Sequence, residues 1–408
     1  MIKLLVDNAA VAEFLREMGL WGGLQIFKWP TFRSFAALIL AFGIVVLAGP
    51  RVIRWLLVQK IGDATEFNHR DLNQLTRHKT NTPTMGGLLI AGAILFATLL
   101  LADLSRFYVQ MGVLCIVLYA GLGGADDWLK LTSARRNPGS RDGLKSWEKF
   151  VFQVGWALVL GLFIHHHGQV AYQQAIAEGA LSIDTPNMTH ILNLPFQRTW
   201  MPAANLDQQT ANPALVQLGP WLFGILTVLV IAGSSNATNL TDGMDGLLSG
   251  IMAVVGFAFL LLCLIAGTEE WSKYLLVPHV PLTDELAIIA GAIVGASLGF
   301  LWFNCHPAQV FMGDTGSLPL GATIGFIAVV IRQEILLLLI GGILVLEALS
   351  VILQVGFFKL TGGSRLFKCA PIHHHFHLSG WTEQQVVVRF WLITALLTAV
   401  ALATIKMR

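Results

Sequence analysis

Five short stretches carry residues able to do chemistry. In "GLGGADDWLK" two carboxylates, Asp126 and Asp127, stand side by side. Adjacent acids at the edge of an apolar run are unfavourable unless they are solvated, paired or metal-bound, so a solvated helix end is the bland reading and a metal or phosphate site the chemical one. "SSNATNLTDGMDGL" adds Asn236, Asn239, Asp242 and Asp245. A spacing of three between Asp242 and Asp245 predicts one shared face at a helix start, and helix capping alone explains one or two such groups but not four. Together they suit hydrogen bonding to a polar ligand or a hydrated ion. In "WFNCHPAQVFMGDTGSLPLG", Asn304 precedes Asp314, which lies between Gly313 and Gly316. Flanking glycines let backbone approach a phosphate, and a carboxylate there can carry Mg²⁺ to it; a tight Asp-Thr-Gly turn is the alternative. "APIHHHFHLSGW" offers His373, His374, His375 and His377, a run whose consecutive rings cannot all reach one metal and which fits a phosphate groove better. Lys79, in "RHKTNTPTMGG", can neutralise a phosphate or merely anchor a helix at the membrane surface.

The elements holding these groups must cross a bilayer. Of 408 residues, 55% are hydrophobic and 12% charged, about half the charged fraction of an ordinary soluble domain. Mean hydropathy is +0.67. Apolar runs long enough for spans of about 20 residues lie near 34–57, 86–102, 109–125, 150–166, 219–235, 246–266, 286–303, 317–331, 335–357 and 386–405. The fold class is therefore an all-α polytopic membrane protein of about ten transmembrane helices. The segments 51–85, 128–149 and 357–389 hold 6, 6 and 4 of the 26 Lys and Arg residues. That excess predicts a cytoplasmic position for them, with both termini periplasmic and all five chemical stretches on the cytoplasmic face. One integral-membrane domain over 1–408 follows, with 165–220 as a periplasmic insertion. A second histidine triplet, His165 to His167, falls at the outer end of the fourth apolar run without polar partners nearby and reads as an interfacial turn.

Net charge is only +2 and base-reading motifs are missing, so nucleic acid is not an expected partner. The four cysteines stand singly, without metal-type spacing or paired outer-loop positions, which predicts neither zinc nor disulfide. Residues 1–30 lack the pattern of a signal peptide and read as an amphipathic lead-in. A G-x-x-x-x-G-K-[ST] loop is not found. Carboxylates for Mg²⁺, cations for phosphate and amides for a polar head group together predict phosphoryl transfer at a membrane surface.

Taken in order, "KTNTPTMGG", "GGADDWLK", "SSNATNLTDGMDGL", "WFNCHPAQVFMGDTGSLPLG" and "APIHHHFHLSGW" closely resemble the motifs of the phospho-N-acetylmuramoyl-pentapeptide transferases, within the polyprenyl-phosphate N-acetylhexosamine-1-phosphate transferases. The resemblance implies a Mg²⁺-dependent enzyme of the bacterial cytoplasmic (inner) membrane, with a cytoplasmic active-site cleft. It would transfer phospho-MurNAc-pentapeptide from its UDP carrier, UDP-MurNAc-pentapeptide, to undecaprenyl phosphate, giving lipid I and UMP in peptidoglycan biosynthesis. By motif match, Asp126, Asp127 and Asp314 take catalytic positions, Asp314 as the Mg²⁺ ligand. Lys79, Asn239, Asp242, Asp245, Asn304, His373, His374 and His375 take substrate-binding ones. The triple histidine points to the muramoyl branch. His377 and Cys369 depart from the family's usual acidic residue and methionine. A homodimer is compatible with this reading.

Two rival functions stay open at the level of sequence. A secondary transporter also places acids in a polytopic chain, but it calls for ionisable groups at mid-membrane, and only Glu347 lies well inside a span. The nearer rival is the same transfer with another sugar, such as GlcNAc.

Overall fold

The computed structural model describes residues 2–8, 13, 16–18, 21–59, 82–136, 143–179, 185–194, 196–203, 205–206 and 209–407. Lys79 lies outside the described residues. After short helices at Ile2–Asp7 and Trp21–Leu24, the chain forms α1 (Pro30–Val58), α2 (Gly87–Leu101), α3 (Phe107–Arg136) and α4 (Ser146–Ala177). A connecting segment leads to α5 (Pro220–Thr241), α6 (Leu247–Gly267), α7 (Leu286–Asn304) and α8 (Asp314–Val330). Then come α9 (Glu334–Ile340), α10 (Gly342–Leu360), the one-and-a-half-turn α11 (Ile372–His377) and α12 (Glu383–Thr404).

Each apolar run read from the sequence falls on helix. Helices satisfy their own backbone in lipid, so a long apolar run has few other options. Eight of them are long and apolar enough to cross a membrane, while α2 and α8 are shorter. The brevity of α8 has a physical reason. All 17 of its residues are buried, packed among α2, α3 and α5, so protein rather than hydrocarbon surrounds it and its length need not match the bilayer. The predicted span 335–357 is two helices that break at Gly341.

Glycine sets how closely α8 is held. A Cβ on Gly123 of α3 would overlap the Asp314 carbonyl, and one on Gly87 of α2 would overlap the Gly316 backbone. These contacts bring the α3 carboxylates beside the start of α8. The segment before α2 is pinned there too: Phe311 N donates to Pro83 O at 2.8 Å, and Gly86 N and Gly87 N donate to Phe311 O and Met312 O at 2.9 and 2.8 Å.

At the other end of the bundle, the segment between α4 and α5 is built rather than trailing. Ile191–Leu192 pairs antiparallel with Val216–Gln217 in a two-stranded ribbon. Trp200 Nε1 donates to Val277 O at 2.8 Å and Arg332 Nε donates to Ile191 O at 2.8 Å, which docks the segment onto two other inter-helix connections. The triplet His165–His167 is not in a turn: α4 continues through it to Ala177. His165 stacks on His190 at 3.9 Å between ring centroids and His167 on Phe107 at 4.0 Å. Aromatic partners from distant segments keep that helix going where the sequence showed no local ones.

Candidate active site

Three carboxylates meet where α3 passes the N-terminus of α8. Asp126, Asp127 and Asp314 are 0, 4 and 9% exposed, and one oxygen from each lies within 4.8 Å of the others. Their surroundings differ. Asp127 caps α8 from another helix: it accepts from Asp314 N at 3.3 Å, Thr315 N at 2.9 Å and Thr315 Oγ1 at 2.7 Å. Four free N–H groups and a positive dipole end make a helix N-terminus a natural seat for a carboxylate. Gly313 precedes it with φ +74°, in the left-handed region, and a Cβ there would lie 2.7 Å from Asp127 Oδ2.

Asp314 and Asp126 share two ammonium groups. Lys149 Nζ is 2.6 Å from both Asp126 Oδ2 and Asp314 Oδ2. Lys130 Nζ is 2.7 Å from Asp126 Oδ2 and 3.3 Å from Asp314 Oδ2. Asn239 Nδ2 fixes the other Asp314 oxygen at 2.7 Å and reaches Ser317 Oγ at 3.0 Å. Asp126 Oδ1 accepts from Leu144 N at 2.7 Å. The site thus gathers α3, α4, α5 and α8, and it includes two lysines absent from the sequence reading. Lys130 had a local signal, since it follows Asp126 by four on a helix. Lys149 had none, being brought in by tertiary packing.

These groups fit a magnesium ion. Hard carboxylate oxygens converge, as Mg²⁺ requires, and two ammonium groups already sit against the oxygens of Asp126 and Asp314, marking where positive charge is favoured.

Asp242 and Asp245 do not share a helix face. Asp242 caps the C-terminus of α5, and Gly246, with φ +79°, turns the chain before α6 starts at Leu247. The helix ends at Thr241, before either carboxylate, so the spacing rule has no helix to act on. Asp242 stays near the carboxylate cluster. Burial, then the negative charge of Asp314, push its carboxyl up to about 7, against a hydrogen bond from the Gly313 backbone. Asp245 joins a second group instead: its Oδ2 lies 3.1 Å from His306 Nδ1 and accepts from Ala308 N at 3.1 Å, and its N–H donates to Glu383 Oε1 at 2.9 Å. The sequence does not single out His306 or Glu383, because this grouping joins two separate connections and the first turn of α12.

Other expected residues take supporting positions. Asn236 turns to α4, donating to Gln153 Oε1 at 2.6 Å. Asn304 is buried as a clasp, accepting from Gly246 N at 3.0 Å and Ser249 Oγ at 3.2 Å and donating to Val310 O at 2.9 Å. His373 and His374 are buried on α11, with centroids 4.1 Å apart. His375, half-buried, accepts from Lys368 N at 3.2 Å, and the departing His377 lies 2.9 Å from Trp381 O. Cys369 is half-buried beside Ala370 O, and all four cysteines are free thiols.

Residues 109–332 match the family model "Glycosyl transferase family 4", which runs from α3 to the end of α8 and so takes in all three converging carboxylates. Over 386 residues the chain is 43% identical to a protein of Nitratidesulfovibrio vulgaris (strain DP4) named phospho-N-acetylmuramoyl-pentapeptide-transferase, covering 94% of this chain and 96% of that one. A protein of the same name from Desulforapulum autotrophicum is 40% identical over 384 residues, with the same two coverages. By that match and that identity over nearly its full length, the chain belongs to glycosyl transferase family 4, among the phospho-N-acetylmuramoyl-pentapeptide-transferases.

Proposed function

We infer that this membrane enzyme transfers phospho-MurNAc-pentapeptide from UDP to undecaprenyl phosphate, forming lipid I and UMP in peptidoglycan biosynthesis. The observation that carries the chemistry is the convergence of Asp126, Asp127 and Asp314 with Lys130 and Lys149 at the mouth of an apolar bundle. Carboxylates and cations within a few ångströms suit a reaction in which negative charge moves between phosphates.

In this mechanism an oxygen of the lipid phosphate attacks the phosphorus that bears the sugar, and the bond to the bridging oxygen breaks. UMP leaves with the electron pair. A phosphate monoester has its second pKa near 6, so at pH 7 the nucleophile is largely deprotonated and needs orientation more than a base. Asp127, held by three donors of α8, positions Asp314. Asp126 faces the two lysines and orients the attacking phosphate through them. Lys130 and Lys149 neutralise phosphate oxygens, and Asn239 keeps Asp314 from rotating. Asp314, with Asp126 beside it, would hold Mg²⁺, which when bound neutralises charge developing on the UMP leaving group. Asp242, Asp245, Asn304, Lys79 and the histidines line or support the nucleotide-sugar side. The Lys and Arg excess supports a cytoplasmic position for this end of the bundle, with both termini and the 165–220 insertion on the periplasmic face of the inner membrane.

The test is UMP release by purified protein with undecaprenyl phosphate and Mg²⁺, comparing UDP-MurNAc-pentapeptide with UDP-GlcNAc. Release with the muramoyl substrate alone, abolished by EDTA, is the expected result. Release with UDP-GlcNAc alone would overturn the branch, and uptake into proteoliposomes without UMP release would restore a transporter.

A further inference from the structure

One carboxylate lies deep in an apolar helix. Glu347 is in the second turn of α10 and 0% exposed. An ionisable group there is unfavourable enough to need a specific partner. That partner comes from α11: His373 Nδ1 is 3.0 Å from Glu347 Oε2, and His373 is also 0% exposed. The pair is only half satisfied. Glu347 Oε1 and His373 Nε2 make no hydrogen bond among the described residues.

The far side of the ring has a direction. His373 Nε2 lies against Gly243, where a Cβ would overlap it. Gly243 is exposed and sits between Asp242 and Asp245 in the connection from α5 to α6. Glu347, His373 and this connection therefore form one line from the helix interior to the exposed Gly243. A carboxylate accepting from one imidazole nitrogen fixes both ring plane and tautomer. Here it puts the proton on Nδ1 and turns Nε2 to the connection.

We propose that Glu347 is a positioning residue for the transfer reaction, acting through His373, whose bare Nε2 it aims at the Asp242–Asp245 connection to accept a hydrogen bond from a hydroxyl or N–H group of the nucleotide-sugar. This rests on the transferase reading above. Among carboxylate–histidine pairs, loss of the carboxylate leaves the ring in place but in the wrong tautomer.

The experiment is a double-mutant cycle on UMP release by the full-length protein, with Glu347→Gln, His373→Gln and the pair. Glu347→Gln, nearly isosteric, is expected to keep the wild-type Tm and to lower kcat on the order of 10²-fold, with KM little changed. Added to His373→Gln it should cause no further loss, because its effect runs through that ring. Equal losses in both backgrounds, or a Glu347→Gln protein of wild-type kcat, would overturn the proposal. So would a His373→Gln protein of wild-type kcat, though the transferase reading would stand as long as wild-type protein releases UMP. Wild-type protein that releases none removes that reading and the proposal together. Should Glu347→Gln fail to fold, ¹⁵N-histidine NMR of wild-type protein decides, with the His373 signals assigned by their loss in His373→Gln. A protonated Nδ1 is expected, and a proton on Nε2 with bare Nδ1 would overturn the assignment.

Discussion

The two ends of the helix bundle both bury ionic clusters, and they are wired differently. At the site end, two lysines on flexible stems span the oxygens of Asp126 and Asp314. At the opposite end Arg33, 0% exposed, grips Glu285 with a planar fork, Nη1 to Oε2 at 2.7 Å and Nη2 to Oε1 at 2.5 Å. Asp103 N adds a donation to Glu285 Oε2 at 3.0 Å, and Lys3 Nζ ties in Asp103 at 2.8 Å. Burial there pushes the Glu285 carboxyl up, but the Arg33 hydrogen bonds and charge hold it below its ordinary value. The rigid fork makes a fastener, whereas ammonium groups can be exchanged for a ligand's charge. On the proposed function, similar residue types thus serve assembly at one end and chemistry at the other.

Exchanging the key group at each end separates these roles. Asp314→Asn is expected to lower UMP release on the order of 10³-fold while the purified protein keeps its Tm; retained turnover would erase the distinction from the site side. Arg33→Leu should do the reverse. It leaves Glu285 buried with only the Asp103 amide and the longer 3.4 Å contact to Lys3 Nζ, a loss of about 3 kcal/mol, seen as earlier unfolding in detergent with unchanged specific activity of the folded fraction. A fall in kcat without a fall in stability would place Arg33 in the catalytic machinery instead.

A third test titrates the end opposite the carboxylate cluster alone. Burial, with His165 alongside, lowers His190 to about 4 from an ordinary 6.5. The folded protein therefore binds fewer protons than the unfolded chain between those values, so this stability is full above pH 6.5 and is lost as pH falls toward 4. Allowing for solvent screening, the loss is about 2 kcal/mol, and a His190→Asn protein should show a flatter pH–stability curve over that window. The smallest expected effect belongs to Lys130→Gln. Because Lys149 still bridges Asp126 and Asp314, kcat should fall only about tenfold; a collapse equal to that of Asp314→Asn would mean the two ammonium groups act as one unit.

How legible this was from sequence follows the physics. The spans were readable because lipid leaves the backbone no alternative to helix, and the carboxylates were readable because apolar surroundings make each acid conspicuous. Lys149, His306 and Glu383 were not, since nothing local distinguishes a lysine, a histidine or a glutamate drawn into a site by packing. The paired face expected of Asp242 and Asp245 failed because the helix ends at Thr241, before either carboxylate. Glu347 was visible as a lone acid in a span, but its partner twenty-six residues away was not.

The cap that Asp127 places on α8 has a wider consequence. Because the carboxylate closing that helix comes from α3, the start of α8 is complete only when both helices have met in register. The same contact sets Asp314 beside Asp126. On the proposed function, a bundle that has not finished assembling therefore lacks a working centre altogether instead of having a leaky one, and an activated sugar stays intact until the protein around it is whole.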